Sequence, residues 1–243
     1  MMRVISILLV LLISFPSIHA ASTESPTDSV APCVRFSARQ LILPGTLIAL
    51  GTVGAIYRQP SKFIESQTGM TDIRVDDYLQ FAPLAGYFAL DYCGLRARHS
   101  LTDRLIIGVT GELLTEILTQ SCKRLVNESR PVDNEPWAFP SGHSARAFLG
   151  AELVRIDYGG EAGTVAYLAA GAVAVMRLTN HRHWLNDVVA GAGVGILCAR
   201  AANWLLPFNR RWLGLEGKKQ TALIVPSYLP ADRGAALTGA IIF

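Results

Sequence analysis

The chain has 243 residues, 51% of them hydrophobic and only 17% charged, with a net charge of +3. A charged fraction well below the roughly 25% of ordinary globular chains points to a membrane protein, and so small a net charge argues against a nucleic-acid partner. Four cysteines without a CxxC spacing supply no metal framework.

The N-terminus has the make-up of a targeting segment. Arg3 gives a positive start, 5–15 an apolar run, and Ser17-Ile18-His19-Ala20 a cleavage site. The run is shorter than the roughly 20 residues that cross a bilayer. A signal peptide over 1–20 is therefore expected, followed by an exported Ser/Thr/Pro-rich linker over 21–41.

Apolar stretches follow at 42–57, 77–95, 101–122, 143–156, 164–180 and 184–206. Gly191, Gly195 and the alanines of 166–174 offer the small faces that close helix packing in lipid requires. The expected fold is all-α: a polytopic membrane helix bundle with about five spanning helices. The alternative is a soluble all-helical bundle. The membrane domain would cover 42–208, with a C-terminal tail over 209–243. That tail alternates weakly and reads either as a short strand pair or as a disordered end.

Arg96, Arg98 and Arg104 in one loop, and Arg210, Arg211, Lys218 and Lys219 after the last helix, set the cytoplasmic side by the positive-inside rule. The helix over 77–95 must then enter from outside. An exported N-terminus forbids a simple crossing by 42–57, which is expected to be re-entrant, interfacial or packed against the core. Cys33 and Cys122 are the two cysteines placed to share an oxidising compartment, so either they pair or all four remain free thiols.

Three motifs cluster on the outer side. In the first, Lys123 offers a point charge and Arg130 a planar fork, which together suit phosphate oxygens; Pro131 helps end the helix there. In the second, Pro140-Ser141-Gly142-His143 opens an apolar helix. Its free N–H groups favour an anion, Gly142 permits close approach, and Ser141 adds a donor. His143 is placed to protonate a leaving oxygen. In the third, Arg177 precedes His183 and Asp187, which are four apart and share a helix face. Asp187 can hold one imidazole nitrogen protonated and leave the other free to attack. A carboxylate in this apolar segment is costly unless it is paired. His181 and Arg182 read as rim residues. Trp137 and Trp184 read as interfacial anchors, with 132–139 bordering the substrate.

Together the motifs resemble the type 2 phosphatidic acid phosphatase superfamily, over roughly 77–206. The resemblance implies that Lys123, Arg130 and Arg177 hold the phosphate, helped by Ser141 and Gly142. It implies His183 as nucleophile, Asp187 as its orienting partner and His143 as the leaving-group acid. The family usually has serine before the third-motif arginine; here Met176 stands there. No cofactor and no metal are implied. The substrate class is a phosphorylated lipid, and Asn180-His181-Arg182-His183-Trp184 is similar to the lipid A phosphatase type of some Gram-negative bacteria. Undecaprenyl pyrophosphate and glycerophospholipid phosphates are further candidates. The expected location is the bacterial inner membrane with a periplasmic site. The competing readings are a soluble periplasmic acid phosphatase, a vanadate haloperoxidase and a catalytically silent lipid-binding protein.

Overall fold

The computed structural model describes residues 36–57, 74–131 and 136–215, and the backbone of 221–229 and 234–242. The expected signal peptide, most of the linker and Cys33 lie outside the described residues, as does the proposed Cys33–Cys122 pairing. Among the described residues Cys93, Cys122 and Cys198 form no disulfide with one another.

A 3-10 turn over Ala38–Leu41 leads into helix α1, Ile42–Tyr57. Next come two short helices, α2 (Asp76–Leu79) and α3 (Ala82–Ala89). Four long helices follow: α4 (Leu101–Val126), α5 (Gly142–Tyr158), α6 (Gly160–Thr179) and α7 (Leu185–Trp212). Strands β1 (Thr221–Leu229) and β2 (Gly234–Ile242) pair antiparallel, with Thr221 opposite Ile242. The chain divides into two units between Leu206 and Pro207, and the hairpin belongs to the second. Of the two readings of the tail, the strand pair is the one observed.

The apolar stretch 77–95 does not form one helix. Pro83 would cost a hydrogen bond and a clash in a helix interior but suits the first turn, and α2 ends and α3 restarts around it. The broken segment still runs the length of the unit. Asp77 meets His143 at one end, and the Arg98 N–H donates to the Asp157 carbonyl at the other, at 3.1 Å. Gly150 makes this path possible, because a Cβ there would strike the backbone of Pro83 and Leu84.

Of the three outcomes expected for segment 42–57, packing against the core is the one observed: it is a continuous helix running antiparallel along α7. Gln40 accepts from Trp204 Nε1 at 2.9 Å and its carbonyl from Arg200. Further along, a Cβ on Gly193 would meet Leu47 and Ile48, and one on Gly51 would meet Ala190 and Asn186. These glycines bring the two backbones into close contact, which a hairpin-like segment would not need. Among the described residues three helical segments are long and apolar enough to cross a membrane: Ala38–Tyr57, Gly160–Thr179 and Leu185–Trp212.

The side chains are arranged inside out. On α4, Leu105, Val109, Leu113 and Ile117 form an exposed apolar row, while Arg104, Gly108, Gly111, Thr115 and Thr119 face inward. The core is rich in alanine, including Ala147, Ala151, Ala170, Ala174, Ala199 and Ala202. Small residues inside and large apolar ones outside are the pattern of helices packed in lipid.

Two buried ionic groups tie the helices together. Glu152 of α5 accepts from Arg155 Nε and Arg200 Nε, both at 2.6 Å, and from the Tyr167 hydroxyl at 2.6 Å. Arg104, expected as a loop cation, is instead buried in the first turn of α4. It donates to the Tyr87 carbonyl, the Tyr158 hydroxyl and Asp91. Asp91 supplies the countercharge that makes this burial tolerable.

Candidate active site

The third motif forms the centre. α6 ends at Thr179, and the chain turns with His181 in the left-handed region (φ 52°) while the Arg182 N–H donates to the Arg177 carbonyl at 3.1 Å. This places Arg177 and His183 on one tight turn. His183 is buried, with Nδ1 at 3.4 Å from Asp187 Oδ2. The fully buried Asp187 carboxylate accepts from the Trp184 N–H at 2.9 Å and from Asn186 Nδ2 at 3.0 Å. Trp184 precedes α7 and Asp187 is its third residue, so the carboxylate caps the helix start as half of a capping box. The helix N-terminus and these donors offset the cost that an isolated buried carboxylate would carry.

Burial, followed by the charges of Arg177, Lys123 and Arg130, holds the His183 pKa well below the usual imidazole value, partly offset by a hydrogen bond to the Ala138 backbone. The ring is therefore neutral, the form in which an imidazole nitrogen carries a lone pair for attack. The same electrostatics show that the three cations, drawn from positions 123, 130 and 177, converge on one histidine.

The first motif reaches the centre from the end of α4. The helix is closed by Asn127 in the left-handed conformation (φ 49°), whose N–H donates to the Lys123 carbonyl at 3.0 Å. Asn127, not Pro131, is thus the terminator; asparagine tolerates this conformation and satisfies a free carbonyl. Trp184 Nε1 donates to the Ser129 carbonyl at 2.9 Å, joining the loop that carries Arg130 to the third motif. Trp184 is half-buried in this role, while Trp137 is exposed.

The second motif docks on α7. The Ser141 N–H donates to the Asp187 carbonyl at 3.0 Å. A Cβ on Gly191 would collide with the Ser141 carbonyl, and one on Gly195 with the Ala145 carbonyl. These two glycines, one turn apart, are what let α5 approach α7. The Ser141 hydroxyl is buried and caps α5, accepting from the Ser144 N–H at 3.5 Å and the Ser144 hydroxyl at 3.2 Å. Gly142 is half-exposed, and a Cβ built there would lie 4.0 Å from Lys123 Nζ, which places the first two motifs side by side.

Two carboxylates outside the three motifs complete the cluster. Asp76 Oδ2 lies 2.6 Å from Arg177 Nη1, and its other oxygen accepts from Asn180 Nδ2 at 3.4 Å. Asp77 Oδ1 lies 3.0 Å from His143 Nε2 and 3.5 Å from Arg177 Nη1. The signal available for them was charge bookkeeping: two adjacent acids head an apolar stretch at the end where three cations gather. His181 and Arg182 are half-exposed, in keeping with a rim. Residues 132–135, part of the expected substrate border, lie outside the described residues. Among the described residues no group of three or more His, Cys, Asp or Glu side chains is arranged to hold a metal ion.

A buried histidine beside a buried aspartate, with the charges of Lys123, Arg130 and Arg177 all acting on it, is a cluster whose chemistry suits an anion. Residues 105–211, which hold all three motifs, match the family model described as the PAP2 superfamily. It is 28% identical over 141 residues to a lipid A 1-phosphatase of Porphyromonas gingivalis; the match covers 56% of this chain and 32% of that protein. The chain thus spans about a third of the length of that curated relative. Among solved structures it is similar to Aquifex aeolicus LpxE, at 19% identity and TM-score 0.44, covering 53% of this chain and 82% of that one. It is also similar to a transmembrane PAP2-type phosphatidylglycerolphosphate phosphatase of Bacillus subtilis, at 16% identity and TM-score 0.38, covering 90% and 98%.

Proposed function

We propose that the protein is a metal-independent membrane lipid phosphatase that works through a phosphohistidine on His183. The observation that carries this reading is the convergence of Lys123, Arg130 and Arg177 on a buried, neutral His183 held beside Asp187. Asp187 keeps Nδ1 protonated, so Nε2 attacks phosphorus. The P–O bond to the leaving group breaks, and His143 gives its proton to the departing oxygen. Water then attacks the phosphohistidine, its proton passes to His143, and the P–N bond breaks to release phosphate. The three cations stabilise the equatorial oxygens, the role that metal ions play in other phosphoryl-transfer sites.

The exposed apolar row on α4 and the three membrane-length helices support a lipid substrate over a soluble ester. The lipid A 1-phosphatase relative supports a lipid A type substrate. Placement in a bacterial inner membrane with the site toward the periplasm is supported by Arg96 and Arg98, which precede α4 at the end of the unit away from the motifs.

The test is phosphate release by detergent-solubilised protein, wild type beside His183→Ala, on lipid A, undecaprenyl pyrophosphate, phosphatidic acid, phosphatidylglycerophosphate and a soluble ester. Wild-type turnover of one lipid, unaffected by EDTA and lost in the variant, supports the reading. Turnover retained by His183→Ala removes His183 as nucleophile. Inactivity on the whole panel favours a silent lipid-binding protein.

A further inference from the structure

His143 stands in an awkward field for an acid. Arg177 lies close by, and the charges of Lys123 and Arg130 reach the neighbouring His183. Positive neighbours disfavour a second proton on an imidazole. An acid at this position needs a countercharge, and the Asp187 carboxylate already accepts from Trp184 and Asn186 and stands beside His183.

α2 supplies one. Asp76 is buried and engages Arg177 and Asn180, which fixes the guanidinium. The next residue, Asp77, has a half-exposed carboxylate, and its Oδ1 meets both His143 Nε2 and Arg177 Nη1. Neither aspartate lies within the residues matched by the family model. Two adjacent residues of one short helix thus divide the work, one toward the phosphate-holding cation and one toward the histidine.

We propose that Asp77 is a positioning residue for His143, its carboxylate orienting the imidazole and offsetting Arg177 so that the ring carries the proton given to the leaving oxygen. The proposal rests on the reading of His143 as the leaving-group acid. With Nε2–H donated to Asp77, Nδ1–H is the proton that moves as the P–O bond breaks. The neutral ring keeps its Nε2 proton, and Nδ1 then takes one from the attacking water. Asp77 forms no bond to phosphorus and accepts no proton outright.

The experiment compares leaving groups. Full-length protein in detergent is assayed as wild type, Asp77→Asn, Asp77→Ala, Asp77→Glu, His143→Ala and the Asp77→Ala/His143→Ala double variant. One substrate is the lipid monoester of the panel above that the wild type hydrolyses, whose alkoxide needs a proton to leave. The other is 4-nitrophenyl phosphate, whose nitrophenolate leaves without one. Asp77→Asn and Asp77→Ala are expected to lower kcat on the lipid ester by about tenfold to a hundredfold, within the range general acid help provides. Their KM should change little, and the nitrophenyl ester should suffer far less. Asp77→Glu should recover part of the loss, and the double variant should be no slower than His143→Ala alone.

Equal losses on both substrates, or a raised KM with kcat unchanged, would overturn the proposal in favour of a structural or phosphate-site role. A lowered KM in Asp77→Ala would also overturn it, showing that the carboxylate merely competes with phosphate for Arg177. If His143→Ala shows the leaving-group dependence and the Asp77 variants do not, this inference alone falls. If His143→Ala shows none, the acid role of His143 falls and this inference with it.

Discussion

Trp184 donates its indole N–H to the carbonyl of Ser129 at 2.9 Å, spanning 55 positions of sequence. The bond ties the loop that carries Arg130 to the residue that opens α7, whose own N–H is held by Asp187. One side chain therefore links the loop that carries Arg130 to the histidine–aspartate pair.

Trp184→Phe keeps a smaller aromatic ring and removes that donor. The loss of one hydrogen bond should cost about 0.5–1.5 kcal/mol of stability. The larger effect should be on kcat/KM for phosphate release, because Arg130 loses its register. Thermal unfolding in detergent and steady-state kinetics on the same preparation check both; an unchanged kcat/KM would mean that the Arg130 loop is positioned by other contacts.

The α5–α7 seam gives a second prediction. Gly191→Ala and Gly195→Ala each push a Cβ into a backbone carbonyl, that of Ser141 and of Ala145, and a backbone cannot yield as a side-chain end can. Each should destabilise by about 1–3 kcal/mol. Gly45→Ala, where nothing lies within 4 Å, should be neutral or slightly stabilising. Melting temperatures of the three variants, measured side by side, decide the matter.

The pH dependence of stability follows from His183. Its folded pKa lies well below that of the unfolded chain, which protonates near the ordinary value of about 6.5. Below that pH the unfolded state binds a proton that the folded state refuses. The free energy of unfolding therefore falls as the pH falls, and this contribution is fully present above about pH 6.5. Unfolding of wild type and His183→Gln between pH 5 and 7.5 should show a steeper acid loss in the wild type; parallel curves would mean that His183 is not held neutral.

Glu152 anchors Arg155, Arg200 and Tyr167 from a fully buried position. Glu152→Gln leaves the Arg200 guanidinium without its carboxylate and should cost about 3–5 kcal/mol, seen as lower yield and a lower melting temperature. Retention of wild-type stability would show that Arg200 finds a sufficient partner in the Gln40 carbonyl.

Much of the site was legible because its chemistry is written locally. His183 and Asp187 share a helix face by spacing alone, and Ser141-Gly142-His143 marks a helix start. The Gly191 and Gly195 seam was visible as small residues one turn apart. Asp76 and Asp77 were not legible, because their partners lie 100 or more positions away for Arg177 and 66 for His143. Nothing in the local pattern of an apolar stretch says which distant cation its leading acids will meet. The break in 77–95 was signalled by Pro83, yet hydropathy by itself does not register a proline's missing N–H.

The sequence by itself determined the helical class, the starts of α4, α5 and α7 almost to the residue, and which residues form the three motifs, since these depend on periodicity, caps and spacing within one element. Tertiary structure alone decided the direction of α1 and the partners of Arg177 and His143. It also decided that Arg104 is buried rather than exposed. Each of these depends on which surfaces meet. α1 runs along α7 because Gly51 and Gly193 let two backbones touch, and α2 reaches the site because Gly150 admits the chain that follows it.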